Sequence, residues 1–321
     1  MAKFRAALSG TIIALNILVI AVVIVSPIAL IKFLLPFPRI QKPLREIISF
    51  LSKTWSMVNS WVVTRIGRLK IDLEIVGNIN LNPQGKYVVI SNHQSASDIF
   101  ILYAILDQRT KFPSYFIKWE LLFFPVFGPI WYSLDFPFMK RHSREYLQKH
   151  PEQSGKDYET TIKFCSKMRA HPYCVINFSE GTRKTDYKME KTKSPYKFLL
   201  PPKAGGLAVT LDAMNQTFDH LVDATIYYPG THITFWDLVF GRIGSVKIVL
   251  REIPKSEIPQ GDYVRDTAYQ KKFQEWVNQI WRQKDQIMVQ LEQKARHSIS
   301  QSVQAPSSPL RDRPDAVSRP Q

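Results

Sequence analysis

The chain has 321 residues, 45% of them hydrophobic, enough for one large domain with appendages. With 43 Lys and Arg against 27 Asp and Glu, its formal net charge is +16, so an anionic partner is expected: nucleic acid, anionic lipid or a phosphorylated substrate. The only cysteines, Cys165 and Cys174, exclude a disulfide framework and match no zinc-site spacing.

Lys3 and Arg5 precede an uncharged run over residues 6–31. That run exceeds the ~20 residues a helix needs to cross a bilayer and is too long for a signal-peptide core, so it reads as a membrane anchor. Lys32, Arg39, Lys42 and Arg45 follow it and outnumber the cations before it, which points the larger C-terminal part to the cytoplasm. Pro27 and Pro36 keep a shallow re-entrant hairpin open beside a single span. Over residues 45–65, Ile47, Leu51, Trp55, Val58 and Val62 recur at helical spacing. Trp55 and Trp61 suit the headgroup layer, so this helix is expected on the membrane or against the anchor, with a cover for the domain core as the alternative.

Strict alternation over 69–76 predicts a half-exposed strand. Strands follow at 87–91, 115–118, 135–139, 174–178, 221–228 and 245–253. Helices are expected from Asp98, over 120–131, over 156–170 and over 207–214. The order argues for an α/β fold with a mixed or parallel sheet flanked by helices. Phe273, Trp276, Val277, Ile280, Trp281, Ile287, Met288 and Leu291 mark a closing amphipathic helix that packs on the core. From Ser298 the chain is rich in Ser, Gln, Pro and Arg and reads as a disordered tail. Three segments result: 1–67 as anchor and interfacial helix, 68–297 as the main domain, and 298–321 as tail.

Candidate chemistry gathers where apolar strands end. His93 and Asp98, in the spacing His-x4-Asp, sit between a strand and the first turn of a helix. A turn there can bring carboxylate to imidazole, fixing Nδ1 and leaving Nε2 free as a base. Lys140 and Arg141 end a second strand, with His142 and Arg144 beyond; an ammonium and a guanidinium fork can hold phosphate. A third strand runs into Ser179-Glu180-Gly181-Thr182-Arg183, where Glu180 could orient a hydroxyl or a cation and Arg183 could bind phosphate. Lys184, Lys188, Lys191, Lys193 and Lys197 read as a basic surface toward anionic lipid. Gly205 and Gly206 open a helix with exposed backbone N–H groups.

Taken together, Asn92-His93-Gln94-Ser95-Ala96-Ser97-Asp98, Phe138-Met139-Lys140-Arg141 and Phe178-Ser179-Glu180-Gly181-Thr182-Arg183 resemble the ordered blocks of glycerolipid acyltransferases. The likeness is to the 1-acylglycerol-3-phosphate acyltransferase (PlsC-like) family, within it to the long, membrane-anchored bacterial branch called YihG-like, over residues 8–296. Ser179 stands where the family usually has proline. Lys118-Trp119-Glu120-Leu121 fits the family's Lys and Glu-Leu between the first two blocks. The resemblance implies an acyltransferase domain over 68–297 in the bacterial inner membrane, facing the cytoplasm. His93 would be general base and Asp98 its orienting partner. Lys118, Lys140, Arg141, Glu180, Gly181, Thr182 and Arg183 would bind substrate.

The implied reaction moves an acyl group from acyl-CoA or acyl carrier protein to lysophosphatidic acid, giving phosphatidic acid, with no metal and no bound cofactor. Membrane lipids are the implied partner, and nucleic acid is not. The alternatives are another lysophospholipid or glycerol 3-phosphate as acceptor, or a lipid-binding protein without turnover.

Overall fold

Three runs rich in β-branched and aromatic residues, Lys86–Ser91 (β2), Tyr173–Phe178 (β6) and His220–Tyr227 (β7), are buried along almost their whole length. Strands of that kind are stable only where both sheet faces are covered. The computed structural model describes residues 1–304 except 36, 140–158, 160, 161, 163, 164, 167, 231 and 232, and for 38, 139 and 298–304 the backbone only. In it these runs form the centre of a mixed sheet that also contains Lys70–Val76 (β1), Ser114–Tyr115 (β3) and Ser245–Ile253 (β8). The strand order is β1-β8-β7-β2-β6-β3; β7 and β8 run antiparallel and all other neighbours are parallel. The register sets Ser91 of β2 opposite Phe178 of β6 on one side and Ala224 of β7 on the other. β2 and β6 therefore end together, at one edge of the sheet.

One face packs Val88, Ile90, Val175 and Leu221 against the helix Ala204–Met214 and the closing helix Thr267–Gln304. The other packs Tyr87, Val89, Ile176 and Val222 against the helix Ser97–Leu106. The closing helix buries Phe273, Trp276, Val277, Ile280, Trp281, Met288 and Leu291 as its periodicity requires. It continues to Gln304, past the boundary at 297 drawn from composition.

The N-terminal run forms one helix, Ala2–Leu34, with mean hydropathy 2.8 over its most apolar stretch, long and apolar enough to cross a membrane. Pro27 does not break it. The proline follows a wide-turn stretch, Ile17–Val25, in which the backbone ladder is already shifted. The chain reverses after Leu34 and returns as the helix Pro38–Trp61. Asn16 Nδ2 donates to Asn59 Oδ1 (3.0 Å) and to the Trp55 carbonyl (3.1 Å), Ala29 packs in one cluster with Ile48, and Gln41 donates to the Lys32 carbonyl, so the two helices are antiparallel. Their outward sides expose Leu18, Val23, Leu30, Phe33, Phe50 and Trp61. Trp55 departs from expectation: it turns inward, 5.7 Å from Phe100 and 6.4 Å from Tyr103. Lys32, counted above as a flanking cation, is buried against the Ser133 carbonyl.

Two further expectations change. Residues 120–131 do not form one helix: a short 3-10 turn, Trp119–Phe123, is separated from the helix Phe127–Ser133 by Pro125 and by Val126 at φ 69°. Proline supplies no N–H to carry the ladder through, and the left-handed residue redirects the chain. The strand expected over 115–118 splits, because after Tyr115 the chain leaves the main sheet. Ile117–Lys118 (β4) pairs instead with Phe138–Met139 (β5), the described end of the strand expected over 135–139. Of the helix expected over 156–170, Glu159, Ile162, Cys165, Ser166, Met168 and Arg169 are helical, and the rest lies outside the described residues.

Candidate active site

β2 lies between β6 and β7, so the chain leaves it toward one side of the sheet and later returns on the other. In open α/β sheets such a point, at the carboxyl ends of the strands, is where ligands bind. His93 follows the last residue of β2 by two positions. Strand pairing stops at Ser91, and the next residue continues it with a side chain: Asn92 Nδ2 donates to the Ile226 carbonyl and its Oδ1 accepts from the Ile226 N–H, both at 2.9 Å. Gln94 Nε2 donates to the same carbonyl at 3.1 Å. The residues on either side of His93 are thus tied to β7.

His93 Nδ1 lies 2.9 Å from Asp98 Oδ2. The same oxygen accepts the Gln94 and Ser95 backbone N–H groups at 2.7 and 2.9 Å, and Asp98 Oδ1 accepts the Tyr228 hydroxyl at 2.8 Å. Asp98 is fully buried, so these donors replace water around its carboxylate. With three donors already on the carboxylate, the imidazole meets it as a fourth, through Nδ1–H, which leaves the Nε2 lone pair free. The ring is stacked on Phe178, with centroids 4.2 Å apart, and the His93 carbonyl accepts the Lys184 N–H at 2.8 Å. Burial and the neighbouring Asp98 carboxylate push the Tyr228 phenol well above its ordinary pKa, which keeps it a donor.

The third block completes the edge. Gly181 adopts φ +70°, where a side chain would be strained, and it lies against the Lys203 side chain. Ser179 uses the polarity that a proline would lack: its hydroxyl donates to Asn177 Oδ1 at 3.0 Å. Glu180 is 1% exposed, and neither carboxylate oxygen meets a hydrogen-bond donor in good geometry among the described residues. Burial raises its pKa to about 8; the His93 backbone N–H and the Lys284 and Lys184 ammoniums pull it down, while Asp98 pushes it up.

Arg183 lines a cleft of about 750 Å³ with Gln94, Ser95, Lys184, Lys188 and Trp236. Thr182 Oγ1 accepts from Lys188 Nζ at 2.6 Å, and Lys197 Nζ pairs with Glu292 at 2.5 Å. Lys188 and Lys197, expected to face lipid, therefore have partners inside the protein. On the other side of helix Ser97–Leu106, an apolar cavity of about 240 Å³ is lined by Ala21, Val25, Ile99, Phe100, Tyr103 and Trp131 among others.

The structure brings His93, Asp98, Glu180, Gly181, Thr182 and Arg183 to one sheet edge. Lys118 is exposed on β4, opposite Met139, and lines neither cavity. Lys140 and Arg141 lie outside the described residues. The glycine-rich helix start is occupied within the fold, the Ala204 N–H donating to Gln274 Oε1 at 3.2 Å. Burial pushes both cysteine thiols up to about 12, so neither offers a thiolate. Among the described residues no group of three or more His, Cys, Asp and Glu is placed to hold a metal ion. Sequence reasoning missed Tyr228, Asn92 and Lys284, whose partners lie 130, 134 and about 60 residues away.

Comparison with known proteins bears on this edge. Residues 72–229 match the family model described as Acyltransferase. The chain is 24% identical over 220 residues to 1-acyl-sn-glycerol-3-phosphate acyltransferase gamma of Mus musculus, covering 64% of this chain and 54% of the relative. It is 25% identical over 248 residues to 2-acyl-1-lysophosphatidylinositol acyltransferase of Saccharomyces cerevisiae, covering 63% and 60%. The chain thus spans little more than half the length of these curated relatives. The crystal structure of the 1-acyl-sn-glycerophosphate acyltransferase PlsC from Thermotoga maritima aligns over 86% of this chain and 95% of that one, at 16% identity and a TM-score of 0.47.

Proposed function

We propose that the chain is an acyltransferase of the PlsC-like family, as its match to the Acyltransferase model and its similarity to lysophosphatidic acid acyltransferases support, and that it moves a fatty acyl group from an acyl thioester to the free hydroxyl of lysophosphatidic acid. The observation that carries the reading is the His93–Asp98 pair, held through Nδ1 with Nε2 free. His93 Nε2 takes the proton of the acceptor hydroxyl as its oxygen attacks the thioester carbonyl. The tetrahedral intermediate collapses with cleavage of the C–S bond, and the imidazolium returns the proton to the leaving sulfur. Asp98 stabilises that imidazolium. A positioned base contributes about 10²- to 10⁴-fold in rate, and alignment of the two substrates contributes much of the rest. The thioester is already activated, so the reaction draws on no metal and no bound cofactor.

Arg183 and the ammoniums beside it face the acceptor phosphate across the cleft; Lys140 and Arg141 keep the phosphate-binding role that the family resemblance implies, whereas Lys118, outside both cavities, takes no part in holding the phosphate there. Glu180 orients the acceptor in its carboxylate form. The apolar cavity beyond helix Ser97–Leu106 takes an acyl chain. On this reading the helix Ala2–Leu34 anchors the enzyme in a bacterial inner membrane. The domain lies at the cytoplasmic face, where acyl-CoA or acyl carrier protein delivers the acyl group. A second acceptor, lysophosphatidylinositol, is suggested by the name of the yeast relative.

The test is thiol release from acyl-CoA, and in parallel from an acyl carrier protein thioester, by membranes carrying wild type or His93→Ala, with each lysophospholipid in turn. Acceptor-dependent release that yields diacyl product and vanishes in the variant supports the reading. Release that persists in a folded His93→Ala removes His93 as the base.

A further inference from the structure

The closing helix carries a charge where packing alone calls for none. Its core stripe runs Val277, Ile280, Trp281, Lys284, Met288, Leu291, and Lys284 is as fully buried as its apolar neighbours. Burial holds its pKa below the usual lysine range, and an apolar residue there would avoid that desolvation cost.

Its ammonium reaches three successive residues of β7: Asp223 Oδ1 at 2.5 Å, the Ala224 carbonyl at 2.6 Å and Thr225 Oγ1 at 3.3 Å. Asp223 already has a cation, Arg251, at 3.0 Å from its other oxygen. Two cations thus face one buried aspartate, and the surplus positive charge lies at the strand row Ala224–Ser91–Phe178. Two residues beyond Phe178 stands Glu180, a buried carboxylate whose oxygens meet no donor in good hydrogen-bond geometry among the described residues. One residue beyond Thr225 stands Ile226, which clamps Asn92 and Gln94 around His93.

We propose that Lys284 is a positioning residue of this site: its buried ammonium fixes the end of β7 that frames His93, and it serves as a counter-charge to Glu180. The proposal rests on the acyl-transfer reading for its meaning in turnover. The groups facing Glu180 are the His93 N–H and Asp98 from the β2 edge, Lys184 from its own loop and Lys284 from the closing helix; Lys203 lies beside Gly181. Lys203 is exposed and Lys184 half-buried, so solvent and salt screen both. Lys284 is out of water, and its field on Glu180 is not screened in this way.

The experiment uses the full chain in detergent as wild type, Lys284→Met and Lys284→Met/Asp223→Asn, with Glu180→Gln in each background as spectral blank. Infrared difference spectra from pH 5 to pH 10 read the Glu180 carboxyl directly, and the rate of acceptor-dependent thiol release is followed over the same range. The wild-type midpoint is expected near pH 8. It should rise by about one unit in both Lys284 variants, as loss of a nearby opposite charge requires. The rising limb of kcat should move with it.

The double variant leaves no uncompensated aspartate, so it stays interpretable if Lys284→Met alone folds poorly. A wild-type midpoint in the double variant would reduce Lys284 to a partner of Asp223 and overturn the proposal. If no thiol is released by wild type with any acceptor, the acyl-transfer reading fails, and the infrared titration still decides the role of Lys284.

Discussion

Glu180 should make the protein less stable as pH rises through neutrality, and Glu180→Gln should remove that loss. An ordinary glutamate titrates near 4.5, whereas Glu180 in the folded chain titrates near 8. Between those values the folded state holds a proton that the unfolded state has released, so unfolding releases protons and is favoured by higher pH. The group's contribution is fully present below about 4.5 and is lost as pH climbs toward 8. At 1.36 kcal/mol per unit, the shift makes wild type lose about 4 kcal/mol relative to Glu180→Gln between pH 5 and pH 9. For a domain of this size that corresponds to a gap in Tm widening by about 10 °C. Chemical unfolding of both proteins in one detergent at pH 5, 7 and 9 measures it. A gap that stays constant within about 1 kcal/mol would show that Glu180 ionises as easily inside the fold as outside it. The reading of this carboxylate as desolvated by burial would then be wrong.

Asn92→Ala should cost about 2 kcal/mol, because it leaves the Ile226 N–H without its 2.9 Å acceptor where strand pairing has ended; urea unfolding measures this. Tyr228→Phe removes the 2.8 Å donor to Asp98 Oδ1 and should lower kcat by about tenfold at unchanged KM, as expected when a group that steadies the imidazolium is lost. An equal loss in KM would instead assign Tyr228 to substrate binding. Ala21→Phe projects a ring into the apolar cavity of about 240 Å³ and should depress rates with long acyl donors while sparing short ones; a series of acyl-CoA lengths reads the ratio.

What could be read from the chain was the set of strand ends. Val88-Val89-Ile90 and Val175-Ile176 are short apolar runs bounded by polar residues, and each delivers its block, His93 or Glu180, just past its last paired residue. Parallel pairing of β2 with β6 then brings together two blocks some 87 residues apart. Where expectation failed, the cause was a local break or a distant partner. The helix over 120–131 stops because Pro125 and the left-handed Val126 interrupt it. Trp55 has an aromatic pocket waiting in Phe100 and Tyr103, which no periodicity within its own helix reveals.

The charge count illustrates the same limit more sharply. A net charge of +16 reads as a property of the surface, yet Lys32 and Lys284 are buried, and Lys188 is held by Thr182 and the Arg183 carbonyl. Sequence spacing cannot separate these from freely solvated cations, because the distinction depends on which distant or folded-back segment lies beside each side chain. Lys284 lies in a heptad-like apolar stripe that reads as core, and only the position of β7 turns it into a neighbour of the candidate site. The interior cations cost solvation energy that an apolar core would not. Such a cost is expected to persist where it maintains a site, and here the buried Glu180 carboxylate feels the charge of Lys284.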